Sequence, residues 1–196
     1  MTTSAEFYDR ISLLYPIVDL FLKPGKKKFI AHINTYPHGQ LLEIGAGTGK
    51  HFECYTKHDI TGIDTSKRML SAAREQSSHN IRLLLMNGEA LSFPNEQFDY
   101  VVMSHVISVT SSPDRLLEET YRVLKPGGKV FILNHFTPDN WLRHVDHCVE
   151  RIARLLHFRS VFTISGLTAI RKFTLVHQAD AAWWSYFKIL TYEKNV

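Results

Sequence analysis

The residues with the clearest chemical potential lie between positions 43 and 64. Leu41-Leu42-Glu43-Ile44 runs straight into Gly45-Ala46-Gly47-Thr48-Gly49-Lys50, a strand leading into a glycine turn and then a helical segment. Glycines let the backbone approach a ligand closely, and the start of a helix offers unpaired N–H groups. A dinucleotide site wants a further Gly or Ala at position 50 for helix-to-strand packing; this chain has Lys50. The GxGxG spacing therefore points to a nucleotide cofactor without a pyrophosphate. Asp64 ends the next apolar run, where a carboxylate can accept hydrogen bonds from both hydroxyls of a ribose at the carboxyl edge of a parallel sheet. The plainer role for Asp64 is to cap a helix starting near Ser66.

Two of the 11 histidines are well placed for chemistry. His105 follows the fourth apolar run and His135 the fifth, whereas a histidine at an arbitrary position is a satisfied core or surface residue. Tyr8 and Tyr15 precede the first strand, in a segment where Phe7, Ile11, Leu14, Val18 and Leu22 recur at helical spacing, so core packing competes with a lid role. Cys54 and Cys148 stand alone and write neither a disulfide framework nor a zinc site.

These groups need a scaffold, and the hydrophobic pattern supplies one. Strands are expected at Gln40 to Ile44, Ile60 to Asp64, Ile81 to Met86, Tyr100 to Ser104 and Lys129 to Asn134, each nearly continuous in Leu, Ile, Val or Met. Such runs suit a sheet covered on both faces. Helical patterns fall at Ser66 to Arg74, with Thr65 or Ser66 as cap, and at Ser111 to Lys125, which Pro126-Gly127-Gly128 should stop. Lys172 to Gln178 and Trp184 to Glu193 leave no room for a crossover helix and should pair as an antiparallel hairpin. The expected fold is α/β: a doubly wound, Rossmann-like, mostly parallel seven-stranded sheet with an antiparallel last strand.

Composition agrees with one globular domain over 1–196: 196 residues, 44% apolar, 10 Gly and 7 Pro. No apolar stretch approaches the roughly 20 residues that span a bilayer, and no basic start with an apolar core marks a signal peptide. A cytoplasmic protein, at most peripheral on the membrane, is expected. The net charge of +4 is concentrated at Lys23, Lys26, Lys27 and Lys28 and at Arg143, Arg151, Arg154 and Arg159. Neither cluster is interleaved with aromatic platforms, which argues against nucleic acid. The first cluster follows the apolar face of Phe7 to Leu22 and is expected to meet anionic lipid. Apolar residues from Trp141 to Leu156 recur at three- and four-residue steps, so Asp139 to Phe158 is expected to be a helix, and Arg151, Arg154 or Arg159 could hold a lipid phosphate.

Taken together, the glycine turn, Gly62-Ile63-Asp64-Thr65-Ser66 with Met69-Leu70, the run from Asn87 to Tyr100, and Arg122-Val123-Leu124-Lys125-Pro126-Gly127-Gly128 resemble the class I S-adenosylmethionine-dependent methyltransferases. His105 to Val109, Ile132 to Phe136 and Leu155 to Phe162 are similar to the soluble bacterial phosphatidylethanolamine N-methyltransferases. The resemblance implies S-adenosylmethionine as cofactor and S-adenosylhomocysteine as product. It also implies Glu43, Gly45, Ala46, Gly47 and Gly49 around the cofactor's amino-acid part, Asp64 on the ribose, and Thr65 or Met69 against the adenine. Asn87 stands where many relatives carry an Asp and can still accept a hydrogen bond from the adenine amino group; Gly88 and Glu89 give backbone and flanking contacts, and His105 faces the cofactor's reactive end. His105, His135 and Tyr15 become candidates for handling an acceptor's proton, residues 1–35 a lid or membrane-associating region, and 136–168 an acceptor-covering insertion. The acceptor class implied is a phospholipid amine. A soluble or quinone-type acceptor is the alternative, and a non-catalytic cofactor-binding protein a third.

Overall fold

The computed structural model describes residues 25–76, 81–135, 164–181 and 187–195. Seven strands form one sheet: β1 Gln40–Ile44, β2 Asp59–Asp64, β3 Arg82–Leu85, β4 Phe98–Ser104, β5 Leu124–His135, β6 Phe173–Asp180 and β7 Phe187–Lys194, in the order β3-β2-β1-β4-β5-β7-β6. Strands β1 to β5 pair in parallel, and β7 is antiparallel to both β5 and β6. The mixed, doubly wound α/β sheet with its reversed last strand is thus the one expected. The reversed strand is not at the edge: the chain passes out to β6 and returns to fill the gap beside β5.

The alternation of side chains along each strand feeds two cores. Leu41 and Leu42 are adjacent, both fully buried, and belong to opposite faces. On one face helix α1 (25–33) contributes Phe29, Ile30 and Ile33 to a core containing Leu41, Tyr100 and Phe131. The other face holds α3 (Pro113–Val123), whose Leu116, Leu117 and Val123 meet Leu42, Met103 and Ile132. Each of these fully buried aliphatic side chains contributes about 1.5–3 kcal/mol. Helix α2 (Lys67–Gln76) follows β2, and it is Ser66 rather than Thr65 that caps it: Ser66 Oγ accepts the N–H of Met69 at 3.3 Å.

One boundary differs from expectation. Pro126-Gly127-Gly128 does not separate α3 from the fifth strand, because α3 ends at Val123 and β5 begins at once with Leu124. Phe98 pairs with Leu124 and Tyr100 with Lys129, so the Pro-Gly-Gly segment bows out of the ladder as an irregularity. A bulge tolerates the proline because no ladder N–H is needed there. No helix among the described residues is long and apolar enough to cross a membrane. Tyr8, Tyr15, the segment 1–24, the expected helix Asp139 to Phe158 and its arginines lie outside the described residues.

Candidate cofactor site

With β1 to β5 parallel, their carboxyl ends share one edge of the sheet. Connections leave β1 toward β2 on one side and reach β4 from β3 on the other, so a crevice opens between β1 and β4, where ligands settle in open α/β sheets. Gly45 follows β1 and His105 follows β4, and the strands are in register with Ile44 opposite Met103. Val106 seats against the glycine turn: a Cβ at Gly45 would lie 2.4 Å from Val106 Cγ2.

The turn is pinned to β2 by its own backbone. The N–H groups of Gly45 and Ala46 both donate to the Ile63 carbonyl at 2.9 Å. Gly47 N–H donates to Asp64 Oδ2 at 2.8 Å, and Ser66 N–H donates to Asp64 Oδ1 at 2.9 Å. Asp64 thus joins the glycine turn to Ser66, the residue that caps α2. Burial pushes its carboxyl above the usual aspartate range, even though the Ser66, Gly47 and Thr65 N–H groups favour the charged form. Gly47 has φ +56, and among the described residues nothing lies within 4 Å of where its Cβ would stand, so its backbone borders space that they leave open.

Glu43 turns away from that space. It is fully buried, with Oε1 2.5 Å from His51 Nε2 and Oε2 accepting from Tyr55 Oη at 2.9 Å. Burial alone would raise its carboxyl, but His51 beside it holds the group below the ordinary glutamate value.

Around the crevice, Met69 is buried and Thr65 exposed. Asn87 is exposed and its Oδ1 accepts the Glu89 N–H at 3.0 Å, a local turn that occupies the oxygen expected to face an adenine. Gly88 is packed tightly, since a Cβ there would come within 2.7 Å of Ile44 Cγ2 and 2.8 Å of Leu116 Cδ1. The Glu89 carboxylate accepts from Thr110 Oγ1, from Ser111 Oγ at 2.7 Å and from Ser112 N–H at 2.9 Å. It ties the head of α3 to the loop after β3.

His105 has φ +60, and its N–H donates to the Leu133 carbonyl at 2.8 Å. Its ring stands edge-on to Phe187 at 5.2 Å. A left-handed non-glycine residue is uncommon, histidine being among the more tolerant types, and such strain concentrates at functional sites. His135 closes β5 at the same edge, opposite Phe187; its side chain and Tyr15 are outside the described residues. Sequence reading missed Ser104, the last residue of β4, whose Oγ is buried with no hydrogen-bond partner among the described residues. Buried hydroxyls are rarely left so. An open cleft of about 680 Å³ lies at the amino-terminal edge of the sheet, lined by Gln40, Asp59, Arg82 and Gln97 and reaching Phe52 and Tyr55 behind the glycine turn.

The methyltransferase domain family matches residues 42–132. The chain is 34% identical over 177 residues, 87% of each protein, to the phosphatidylethanolamine N-methyltransferase of Cereibacter sphaeroides. The chain belongs to the S-adenosylmethionine-dependent methyltransferases. It is also 32% identical over 163 residues, 78% of this chain and 66% of the relative, to the demethylmenaquinone methyltransferase of Tropheryma whipplei (strain Twist). An S-adenosylmethionine-dependent methyltransferase of Thermotoga maritima, a possible histamine N-methyltransferase, shares the fold with a TM-score of 0.75 at 22% identity, covering 96% of this chain and 99% of its own.

S-adenosylmethionine is therefore the cofactor and S-adenosylhomocysteine the product of this methyltransferase. The residues present fit it. Space over Gly47 after β1, an ionisable carboxylate at Asp64 ending β2 and the Ser104 hydroxyl ending β4, which has no hydrogen-bond partner among the described residues, all lie at the carboxyl edge of the parallel strands.

Proposed function

We propose that this methyltransferase methylates the amine of a phosphatidylethanolamine head group at a membrane surface. The observation that carries the reading is the extent of the match to the Cereibacter sphaeroides enzyme. It spans 177 residues, well beyond the 42–132 core that the domain family covers, and so takes in chain on the acceptor side. In this reading Gly45, Ala46, Gly47 and Gly49 border the cofactor's amino-acid end, Asp64 holds its ribose, and Thr65, Met69, Asn87 and Gly88 surround the adenine. Glu43 and Glu89 support that set from behind, Ser104 contributes a hydroxyl, and His105, His135 and Tyr15 face the acceptor.

When bound, S-adenosylmethionine supplies a methyl group already activated on a sulfonium, ready for direct displacement by a nucleophile. The chain's part is proximity, alignment and exclusion of water. An ammonium has no lone pair to offer, and a head-group amine titrates near a lysine's value of about 10. Its proton must leave during approach. His105, His135 or Tyr15 receives it or passes it to water, and burial of the amine against the crevice lowers its affinity for that proton. The fixed backbone of His105 and its contact with Phe187 keep the imidazole in one place.

Contact with anionic lipid can draw on Lys27 and Lys28, both exposed, although Lys28 Nζ also donates to the Asp180 carbonyl at 2.6 Å. Lys26 is half-buried and acts on Glu43. The second reading, a quinone-type acceptor, is favoured by the match to the Tropheryma whipplei enzyme. Formation of S-adenosylhomocysteine separates the two. Vesicles containing phosphatidylethanolamine should drive it and demethylmenaquinol should not; the reverse would transfer the proposal to the quinone.

A further inference from the structure

We propose that His51 and Tyr55 are positioning residues for the cofactor turn, acting through the buried carboxylate of Glu43. The proposal rests on the reading of Gly45–Gly49 as the cofactor turn. Glu43 lies two residues before the turn and His51 two residues after it, so their contact at 2.5 Å closes the chain on itself around the turn. Tyr55 adds a second donor to the same carboxylate from the far end of the short helical turn Phe52–Cys54. Glu43 is fully buried and the His51 side chain 10% exposed, which leaves Glu43 out of reach of a ligand and sets its partners between it and the outside.

The histidine's orientation is itself fixed. Its ring packs at 4.7 Å from Phe52 and 6.3 Å from Tyr55, and Phe52 N–H donates to the Gly49 carbonyl at 2.9 Å. With Nε2 facing an acceptor-only carboxylate, the ring must carry its proton on that nitrogen in either charge state, an assignment made from the partner. Lys26, in the first turn of α1, adds favourable charge to Glu43.

A buried carboxylate is tolerated only while its oxygens are satisfied. Removing one donor leaves a charge that must find another partner, and the chain that can shift to supply one is the stretch from 48 to 51, just beyond the Gly45, Ala46 and Gly47 N–H groups pinned to β2. The consequence falls on the turn that meets the cofactor. Neither His51 nor Tyr55 needs to touch cofactor or acceptor, so once cofactor is saturating the chemical step should be unaffected.

The test uses the full chain with His51→Ala, His51→Gln, Tyr55→Phe and Asp64→Ala, measuring cofactor affinity by calorimetry, KM and kcat by S-adenosylhomocysteine formation, and thermal stability alongside. His51→Ala should raise the cofactor Kd and KM at least about tenfold, the worth of one hydrogen bond to a charged group, with kcat unchanged. His51→Gln, whose amide can donate to Glu43, should recover most of the loss, and Tyr55→Phe should show a smaller rise in Kd. A purely structural role would lower the melting temperature and leave the folded protein's cofactor affinity intact. Wild-type affinity in His51→Ala, or no rescue by glutamine, overturns the proposal; if His51→Ala does not fold, wild-type affinity in Tyr55→Phe overturns it equally. Loss of binding in Asp64→Ala without loss in the His51 variants removes the positioning role alone. Intact binding in Asp64→Ala removes the cofactor-turn reading beneath it.

Discussion

Asp64→Ala is the substitution whose cost can be worked out most fully. In the free protein its two oxygens receive the N–H groups of Gly47 at 2.8 Å and Ser66 at 2.9 Å. In the complex the same oxygens are assigned the two ribose hydroxyls. A hydrogen bond to a charged group contributes about 1.5–3 kcal/mol, so two unshared bonds would give about 3–6 kcal/mol. Because each oxygen already serves a backbone donor, the loss should sit near the single-bond range of about 1.5–3 kcal/mol, a roughly ten- to hundred-fold rise in Kd. Stability should fall as well, by about 1–3 kcal/mol for each N–H left without an acceptor if water cannot reach it; Asp64 is only partly buried, which favours the lower end. Asp64→Asn, which keeps one acceptor oxygen but turns an NH2 toward Gly47 or Ser66, should fall between the two. Burial raises the Asp64 carboxyl, and the ionised form is the one that accepts from both hydroxyls. Cofactor affinity should therefore decline on acidification at a higher pH than an ordinary aspartate would give. Calorimetry with S-adenosylmethionine and S-adenosylhomocysteine reads all three effects. An Asp64→Ala protein with native circular dichroism and a Kd within twofold of wild type would refute the reasoning.

Gly47→Ala and Gly45→Ala should part company. Both require φ near +56 and +78, a strain of roughly 1–2 kcal/mol for alanine, but only Gly45 meets Val106 at 2.4 Å. Denaturant titration should find Gly45→Ala the less stable, whereas Gly47→Ala should remain folded and lose cofactor binding because its methyl fills the open space over the turn. Glu89→Ala removes the acceptor of Ser112 N–H at the head of α3 and should cost about 1–2 kcal/mol, in the range of a lost helix cap. Burial would raise the Glu89 carboxyl, but the Thr110 and Ser111 hydroxyls hold it below the ordinary value. Its contribution is thus present above the unfolded glutamate's range and lost as pH falls through the lower folded value; urea titrations across acidic pH should show a flatter dependence in the variant. His105→Asn keeps a residue type that tolerates the left-handed backbone. It should lower kcat by about a hundredfold if the imidazole handles the amine's proton, with cofactor Kd unchanged by calorimetry.

What could be read from the sequence was what local chemistry encodes. The strand, glycine turn and Asp64 lie within 25 residues, and the turn's hydrogen bonds to Ile63 and Asp64 follow from that short loop. The strands announced themselves because residues such as Leu41 and Leu42 are buried on both faces. Long-range partners were not legible. Glu89 meets Thr110, Ser111 and Ser112 more than 20 residues away, and no local pattern marks a carboxylate that caps a helix from a distant loop. Glu43 reads as a ligand-facing acid beside a glycine turn, yet the fold directs it to His51 and Tyr55. A weak signal for that pairing was available: a histidine and a tyrosine just after the turn, on the face that Glu43 shares with Leu41. Pro126-Gly127-Gly128 reads as a stop, and only the β4 register reveals it as a bulge inside β5. Ser104 could have been suspected as a polar residue ending a buried strand.

Transfer of labelled methyl from S-adenosylmethionine to vesicles of phosphatidylethanolamine, with the products separated by lipid chromatography and identified by mass, tests the central claim most directly. Methylated phosphatidylethanolamine is expected, with incorporation stimulated by anionic lipid and reduced by salt. Vesicle lipid that stays unmethylated, while the same preparation binds S-adenosylmethionine and methylates a quinol or a soluble amine, would contradict it.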